Sequence, residues 1–311
     1  MTDRPGMVDA MVIGAQKAGT TWLWEALRRR ADVFTPPVKE LHHYDHRHIP
    51  ANRAWTHRHL RRGVRQALRW HVNRANPFDR DWIDYLVDLA DRAPFTQGWY
   101  ARAFARAPAG ALRLDVTPEY ASLPPEGAAE AVADNPGLKV VHVLRDPVDR
   151  ALSQVRMGFA RRKLAAPGRE DWAQALADPD LADRSDYARH LATWGAALPP
   201  DRILRLNFSM LRDDPAALLD RVEGFFELPP AARPAGFADA VHAGPRIEAP
   251  AWVRADLDAR LAPQRAAMAR ALAAAQPPRL RTDLGPGLDL APSPATPSRA
   301  GQILSLVRGR G

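Results

Sequence analysis

An α/β fold is predicted, a parallel sheet flanked by helices with a mainly helical insertion, and three observations predict it. Apolar runs at Met7–Ile13, Leu112–Val116, Lys139–Leu144 and Arg202–Phe208 read as strands. Helical patterns alternate with them, as a parallel, doubly wound sheet requires. The first strand runs through a glycine-bounded loop into a helix, the usual opening of an α/β domain.

In chain order, Met7, Val8, Ala10, Met11, Val12 and Ile13 make a buried strand that ends at Gly14. The loop Gly14-Ala15-Gln16-Lys17-Ala18-Gly19-Thr20-Thr21 follows. Trp22, Leu23, Ala26 and Leu27 then share one helical face, and Arg28-Arg29-Arg30 sit at the end of that helix where cations are favoured. Residues 42–98 break the alternation and hold seven of the ten histidines, so an insertion over about 42–110 is expected, mainly helical and basic. Val140-Val141-His142-Val143-Leu144 has the apolar character of a central parallel strand. Helices are expected at Val148–Lys163, Tyr187–Leu198, Pro215–Phe226 and Ala255–Ala275. Six prolines between Pro277 and Pro297 mark a flexible tail over 276–311, in which Ile303–Val307 makes at most one docked turn, and leave 1–275 as one α/β domain.

Composition narrows the chemistry. The 311 residues include no cysteine, which excludes a thiol nucleophile, a Cys-ligated zinc and an iron–sulfur cluster. Lys and Arg number 44 against 36 Asp and Glu, a surplus of +8 that favours anionic partners. No apolar window has the length of a membrane helix and no signal-peptide core follows the N-terminus, so a soluble cytoplasmic protein without an integral membrane segment is expected.

The loop Gly14–Thr21 compares with the phosphate pattern G-x-x-x-x-G-K-[ST]. Gly14 and Gly19 have its separation and Thr21 its last position, but Thr20 stands where the lysine belongs and the loop lysine is Lys17. The cradle physics survives, with consecutive N–H groups at a helix N-terminus facing an anion. An ordinary strand-to-helix turn is the plainer alternative. A P-loop kinase-like nucleotide enzyme would need a magnesium carboxylate at a neighbouring strand end. After Leu144 the chain instead presents Arg145 and then Asp146-Pro147, a helix N-cap with proline in the first turn. Arg145 at a central strand's carboxyl end suits bidentate phosphate binding, unless it pairs with Asp149. Ser153, two turns into that helix, can donate to the same phosphate or be a plain helix serine.

These motifs carry a family resemblance. G-A-Q-K-A-G-T-T (14–21) resembles the 5′-phosphosulfate loop of sulfotransferases that use 3′-phosphoadenylyl sulfate (PAPS), and L-R-D-P-V-D-R-A-L-S (144–153) resembles their 3′-phosphate motif. K-E-L-H-H-Y-D (39–45) is similar to the general-base segment of the heparan sulfate and glycosaminoglycan branch. Gly98-Trp99-Tyr100 with Phe104, and Thr117-Pro118-Glu119-Tyr120, look like recurring pieces of that branch and its bacterial relatives. The resemblance implies a P-loop-like sheet, an acceptor region within 42–110, and sulfuryl transfer from PAPS to a hydroxyl or amine with release of adenosine 3′,5′-bisphosphate. The acceptor classes left open are carbohydrate, lipid and secondary metabolite, and no metal is required.

The implied donor-binding residues are Gln16, Lys17, Ala18, Gly19, Thr20, Thr21, Trp22, Arg145, Ser153 and Arg246. The implied catalytic residues are Lys17, which would stabilise the leaving phosphate, Glu40, which would be the general base, and His42, which with Asp45 would be a polar neighbour of that base. Without the resemblance, Glu40 beside Lys39 reads as a solvated pair. Val116 replaces the lysine common before Thr-Pro in the glycosaminoglycan branch, which speaks against a heparan-type acceptor.

Two further features have their own readings. The run His42-His43-Tyr44-Asp45-His46-Arg47-His48 has metal-ligand residue types but sits poorly for a closed site, so no metal is expected. Lys39–Arg74 holds nine Lys and Arg against two acids, with Trp55 and Trp70 interleaved. A solvated helix face or an acceptor wall is expected there, with a nucleic-acid surface as the alternative. Trp82 and Trp99 are expected in the core. Oligomeric state is left open.

Overall fold

The computed structural model describes residues 7–73, 79–91, 93–233, 236–238 and 247–275. The chain opens with β1 (Ala10–Gly14), α1 (Thr20–Leu27) and a two-residue β2 (Val33–Phe34). The helical insertion follows as α2 (His43–His48), a 3-10 turn at Pro50–Asn52, α3 (Arg53–Asn73), α4 (Arg80–Asp91) and α5 (Gln97–Ala103). Then come β3 (Leu112–Val116), a 3-10 turn at Pro118–Ser122, α6 (Pro125–Asp134), β4 (Lys139–Leu144) and α7 (Pro147–Arg161). The last stretch holds α8 (Arg169–Leu176), α9 (Pro179–Asp183), α10 (Tyr187–Ala197), β5 (Ile203–Asn207), α11 (Ser209–Asp213), α12 (Pro215–Phe225) and α13 (Ala251–Ala274).

All strand pairs are parallel and the order is β2-β3-β1-β4-β5. β1 is central; the chain fills one side with β2 at the edge and β3 between, then crosses to β4 and β5 on the other. The crevice at its carboxyl end is therefore the switch point where such sheets bind ligands. Because every strand runs the same way, the segments after β1, β3, β4 and β5 emerge on one edge. They begin with Ala15, Thr117, Arg145 and Phe208.

Each strand is covered on both faces. Met11 and Ile13 pack with Leu41, Tyr44, Trp99 and Tyr100 on one side, and Ala10 and Val12 with Leu23, Leu27, Leu218 and Val222 on the other. That two-sided burial is why the strands read as continuous apolar runs rather than alternating ones. Helix α7 starts where Asp146 caps it: its carboxylate accepts from Val148 N at 3.0 Å and Asp149 N at 3.1 Å, with Pro147 next. Its apolar stripe of Val148, Ala151, Leu152, Val155 and Phe159 buries against Trp172, Leu176, Val253 and Leu257.

Some boundaries differ from the sequence reading. Strand pairing starts at Ala10 rather than Met7 and includes Gly14, because Val8 N donates to the Asn135 side chain at 2.8 Å instead of entering the ladder. Helix α6 carries breaker residues, Pro124-Pro125-Glu126-Gly127, and hides its signal. Pro125 loses nothing in the first turn, and Gly127 is small because a Cβ there would lie 3.0 Å from the His48 ring. Arg246 and the tail over 276–311 lie outside the described residues. Among the described residues no helix is long and apolar enough to cross a membrane.

Candidate active site

The loop after β1 turns sharply into α1. Gly19 is the α1 N-cap with φ +79°, a conformation that calls for glycine, and a Cβ on it would lie 2.4 Å from Leu211 Cδ2 and force that side chain to shift. No side chain caps α1, and the N–H groups of Thr20, Thr21 and Trp22 have no intrahelical acceptor. They form the positive pole of the helix dipole. The hydroxyls of Thr20 and Thr21 make no hydrogen bond among the described residues, and Gln16 Oε1 is buried without a partner. Two expected donor contacts are already engaged: Ala18 N donates to Ala15 O at 3.0 Å, and the Trp22 indole donates to Phe237 O at 2.7 Å. Only the Trp22 backbone remains available.

Lys17 and Arg145 meet at this loop. Arg145 Nη1 donates to the Lys17 carbonyl at 2.8 Å, and its guanidinium lies 4.6 Å from the Phe208 ring centre. Asp149 pairs with Arg254 at 3.3 Å and with no other described residue, which removes the alternative Arg145–Asp149 bridge. Lys17 Nζ finds only a weak acceptor, Met157 Sδ at 3.6 Å. Ser153 stands one turn before Met157 on the same face of α7, partly exposed and without a side-chain partner. Burial pushes the Lys17 amine down from its ordinary value, with Arg145 and Arg161 adding to the effect and Glu40 opposing it. Such an amine, with no ion-pair partner among the described residues and a guanidinium and a helix N-terminus on the same loop, suits an anion.

Glu40 acts on Lys17 electrostatically. Its side chain is 31% exposed, and its carboxylate is paired with Lys39 and 3.7 Å from His42 Nε2. His42 is buried, with Nδ1 at 3.0 and 3.1 Å from the two Asp45 oxygens, and Asn52 donates to Asp45 at 2.8 Å. Glu40, His42 and Lys17 all have left-handed backbone, φ +64°, +55° and +70°. Such conformations cost about 1–3 kcal/mol each in non-glycine residues and persist only where the surroundings enforce them. The enforcement is visible for the 40–43 segment. Leu41 N donates to Thr117 Oγ1 at 3.0 Å and His43 N to the Tyr120 hydroxyl at 3.0 Å. Both hydroxyls donate in turn to Asp115, at 2.7 and 3.0 Å, and Tyr100 adds a third donor at 2.8 Å.

Charge follows from these contacts. Burial alone would raise the Glu40 carboxyl, but the Lys39 ammonium and His42 hold it well below its usual range. Burial opposes the His42 charge, yet Asp45 and Glu40 outweigh it and bring the imidazole up to about 10. The folded protein therefore keeps a proton that the unfolded chain releases near 6.5. This stabilisation is complete below that pH and is lost toward about 10, with a slope of up to about 1.4 kcal/mol per pH unit. Urea unfolding at a series of pH values should show the decline, and His42→Asn should flatten it.

The histidine run does not converge. His43 stacks on Tyr100 at 4.4 Å, His46 stacks on Phe95 at 3.9 Å, and His48 pairs with Glu130, so only His42 faces the site. The residue that joins it is His59 of α3, edge-on to His42 at 4.8 Å, with Nε2 at 3.1 Å from the Lys39 carbonyl. Nothing in the sequence singles out His59. Trp99 is fully buried and Trp82 packs partly buried against the same core. On α3, Arg58, Arg61, Arg62, Arg65 and Arg69 fall within about 100° of one another and are exposed, none with an ion-pair partner among the described residues.

A model of the sulfotransferase family matches residues 9–232. Heparan sulfate glucosamine 3-O-sulfotransferases 3B1 and 3A1 of Mus musculus are each 30% identical to this chain over 137 residues, 42% of it. The match covers 35% and 34% of those relatives, so it spans only about a third of their length. The crystal structure of a sulfotransferase from Alicyclobacillus acidocaldarius superposes with a TM-score of 0.58 at 18% identity, over 88% of this chain and 97% of that one. The last likeness is one of fold.

Proposed function

The chain belongs to the sulfotransferase family, and from that premise we propose that it moves a sulfuryl group from PAPS to an acceptor hydroxyl or amine. The observation that carries the reading is Lys17, a cation without an ion-pair partner among the described residues, in the loop that enters an uncapped helix N-terminus and within electrostatic reach of the Glu40 carboxylate. The N–H groups and hydroxyls of Thr20 and Thr21 bind the 5′-phosphosulfate, and Arg145 with Ser153 holds the 3′-phosphate. Glu40 takes the acceptor proton as the new bond to sulfur forms. The bond from sulfur to the phosphate oxygen breaks, and Lys17 stabilises the charge that collects on that oxygen. Adenosine 3′,5′-bisphosphate leaves. The donor's chemistry is an activated sulfuryl group, and the chain supplies positioning and charge.

The relatives named for heparan sulfate fit a carbohydrate acceptor, but lipid and secondary-metabolite hydroxyls suit the same base. The arginine row of α3 starts beside His59 and favours an anionic acceptor.

Calorimetry without metal tests the donor site. The chain should bind adenosine 3′,5′-bisphosphate more tightly than ADP, and Arg145→Ala should weaken the bisphosphate about 10–100-fold while erasing that preference. Equal binding of ADP, improved by Mg²⁺, would instead favour a kinase-like nucleotide enzyme.

A further inference from the structure

We propose that Glu40, His42 and His59 form a reversible site for a divalent first-row cation of the Zn²⁺ class, which occupies the Glu40 carboxylate and stops proton transfer; the inhibition, though not the binding, rests on the reading above. One ligand atom from each of the three residues lies within 4.8 Å of the others. Two imidazoles and a carboxylate suit Zn²⁺, Co²⁺ or Ni²⁺.

The decisive atom is His42 Nε2. It is buried, has no hydrogen-bond partner, and faces Glu40 Oε2 at 3.7 Å; the ion takes this nitrogen by displacing its proton to solvent. Two ligands held tetrahedrally about 2.0–2.1 Å from one ion stand about 3.4 Å apart, so this pair is nearly at the required separation. Both rings are oriented from behind. Asp45 holds His42 Nδ1 and is itself held by Asn52, the carboxylate–histidine arrangement that supports metal ligands. His59 directs Nε2 at the Lys39 carbonyl, which leaves Nδ1 as its lone-pair nitrogen. The partly exposed Glu40 side chain can move the remaining distance. Lys39, on the same carboxylate, competes with the ion and keeps loading reversible.

Titration of the full, tag-free chain with Co²⁺ tests the site. Visible bands of tetrahedral cobalt should saturate at one ion per chain. They should vanish in His59→Ala and in Glu40→Gln, and persist in His57→Ala, whose ring lies on the same helix but packs edge-on to Phe95 and His46. Bisphosphate binding by His59→Ala shows that this variant has folded. In turnover assays Zn²⁺ should inhibit the wild type, and half-inhibition of His59→Ala should need at least about tenfold more Zn²⁺. No cobalt bands, or equal bands in His59→Ala, would overturn the site. One-ion loading without inhibition would overturn the block on proton transfer. A chain that loads one Co²⁺ through these residues, but transfers sulfuryl groups to no acceptor, would keep the site and sink the functional reading instead.

Discussion

Glu40→Gln should lower turnover by about 10²–10⁴-fold while leaving adenosine 3′,5′-bisphosphate binding unchanged. The substitution keeps the shape of the side chain and removes its ability to take a proton. The donor-binding atoms lie on α1, its preceding loop, the turn between β4 and α7, and α7, and no hydrogen bond or ion pair joins them to residue 40 among the described residues. Loss of the carboxylate also frees Lys39 and removes one of two anions that face His42, so the pH range over which His42 stabilises the fold should narrow from its upper end in the same variant. Single-turnover measurement with saturating donor separates the two contributions. Near-normal turnover would remove Glu40 from the role of base.

Asp115→Ala should cost about 3 kcal/mol of stability or more and reduce turnover of the protein that remains folded. Asp115 touches no candidate reacting group. It receives the hydroxyls of Thr117, Tyr120 and Tyr100, and each loses its acceptor in the variant. An orphaned buried donor costs about 1–3 kcal/mol, and three together take a large share of an ordinary domain's 5–15 kcal/mol. Thr117 and Tyr120 also hold the N–H groups of Leu41 and His43, so the backbone that presents Glu40 loosens. Asp115→Asn, which keeps an acceptor oxygen, should recover part of both losses. Equal turnover by folded Asp115→Ala and wild type, compared per molecule that binds bisphosphate, would show that the network stabilises without positioning.

The parts of this protein that were legible in its sequence are those built by neighbours in the chain. The Gly14–Thr21 loop, the Arg145-Asp146-Pro147 turn and the apolar strands each declare themselves within a few residues, because capping, glycine conformation and burial act locally. Residues 42–48 show the limit. Their histidines look like one cluster, yet helix geometry sends His43 into the aromatic core, His46 to Phe95 and His48 to Glu130. Conversely His59 and Asp115 carry no local mark. One reaches the site because α3 folds back over Lys39, the other because β3 lies beside β1. The two-residue β2 was invisible for a simpler reason, since two residues hold no periodicity.

The left-handed backbone at Lys17, Glu40 and His42 bears on how the protein can be engineered. At Glu40 and His42 the ion pairs with Lys39 and Asp45 offset that strain, so glycine there would cost stability. At Lys17, whose charge burial disfavours, glycine would relieve about 1 kcal/mol of strain. A selection for heat tolerance alone would thus be drawn toward glycine at Lys17, and the gain would delete the ammonium. Stability and chemistry pull that codon in opposite directions. Libraries intended to harden the fold should hold it constant.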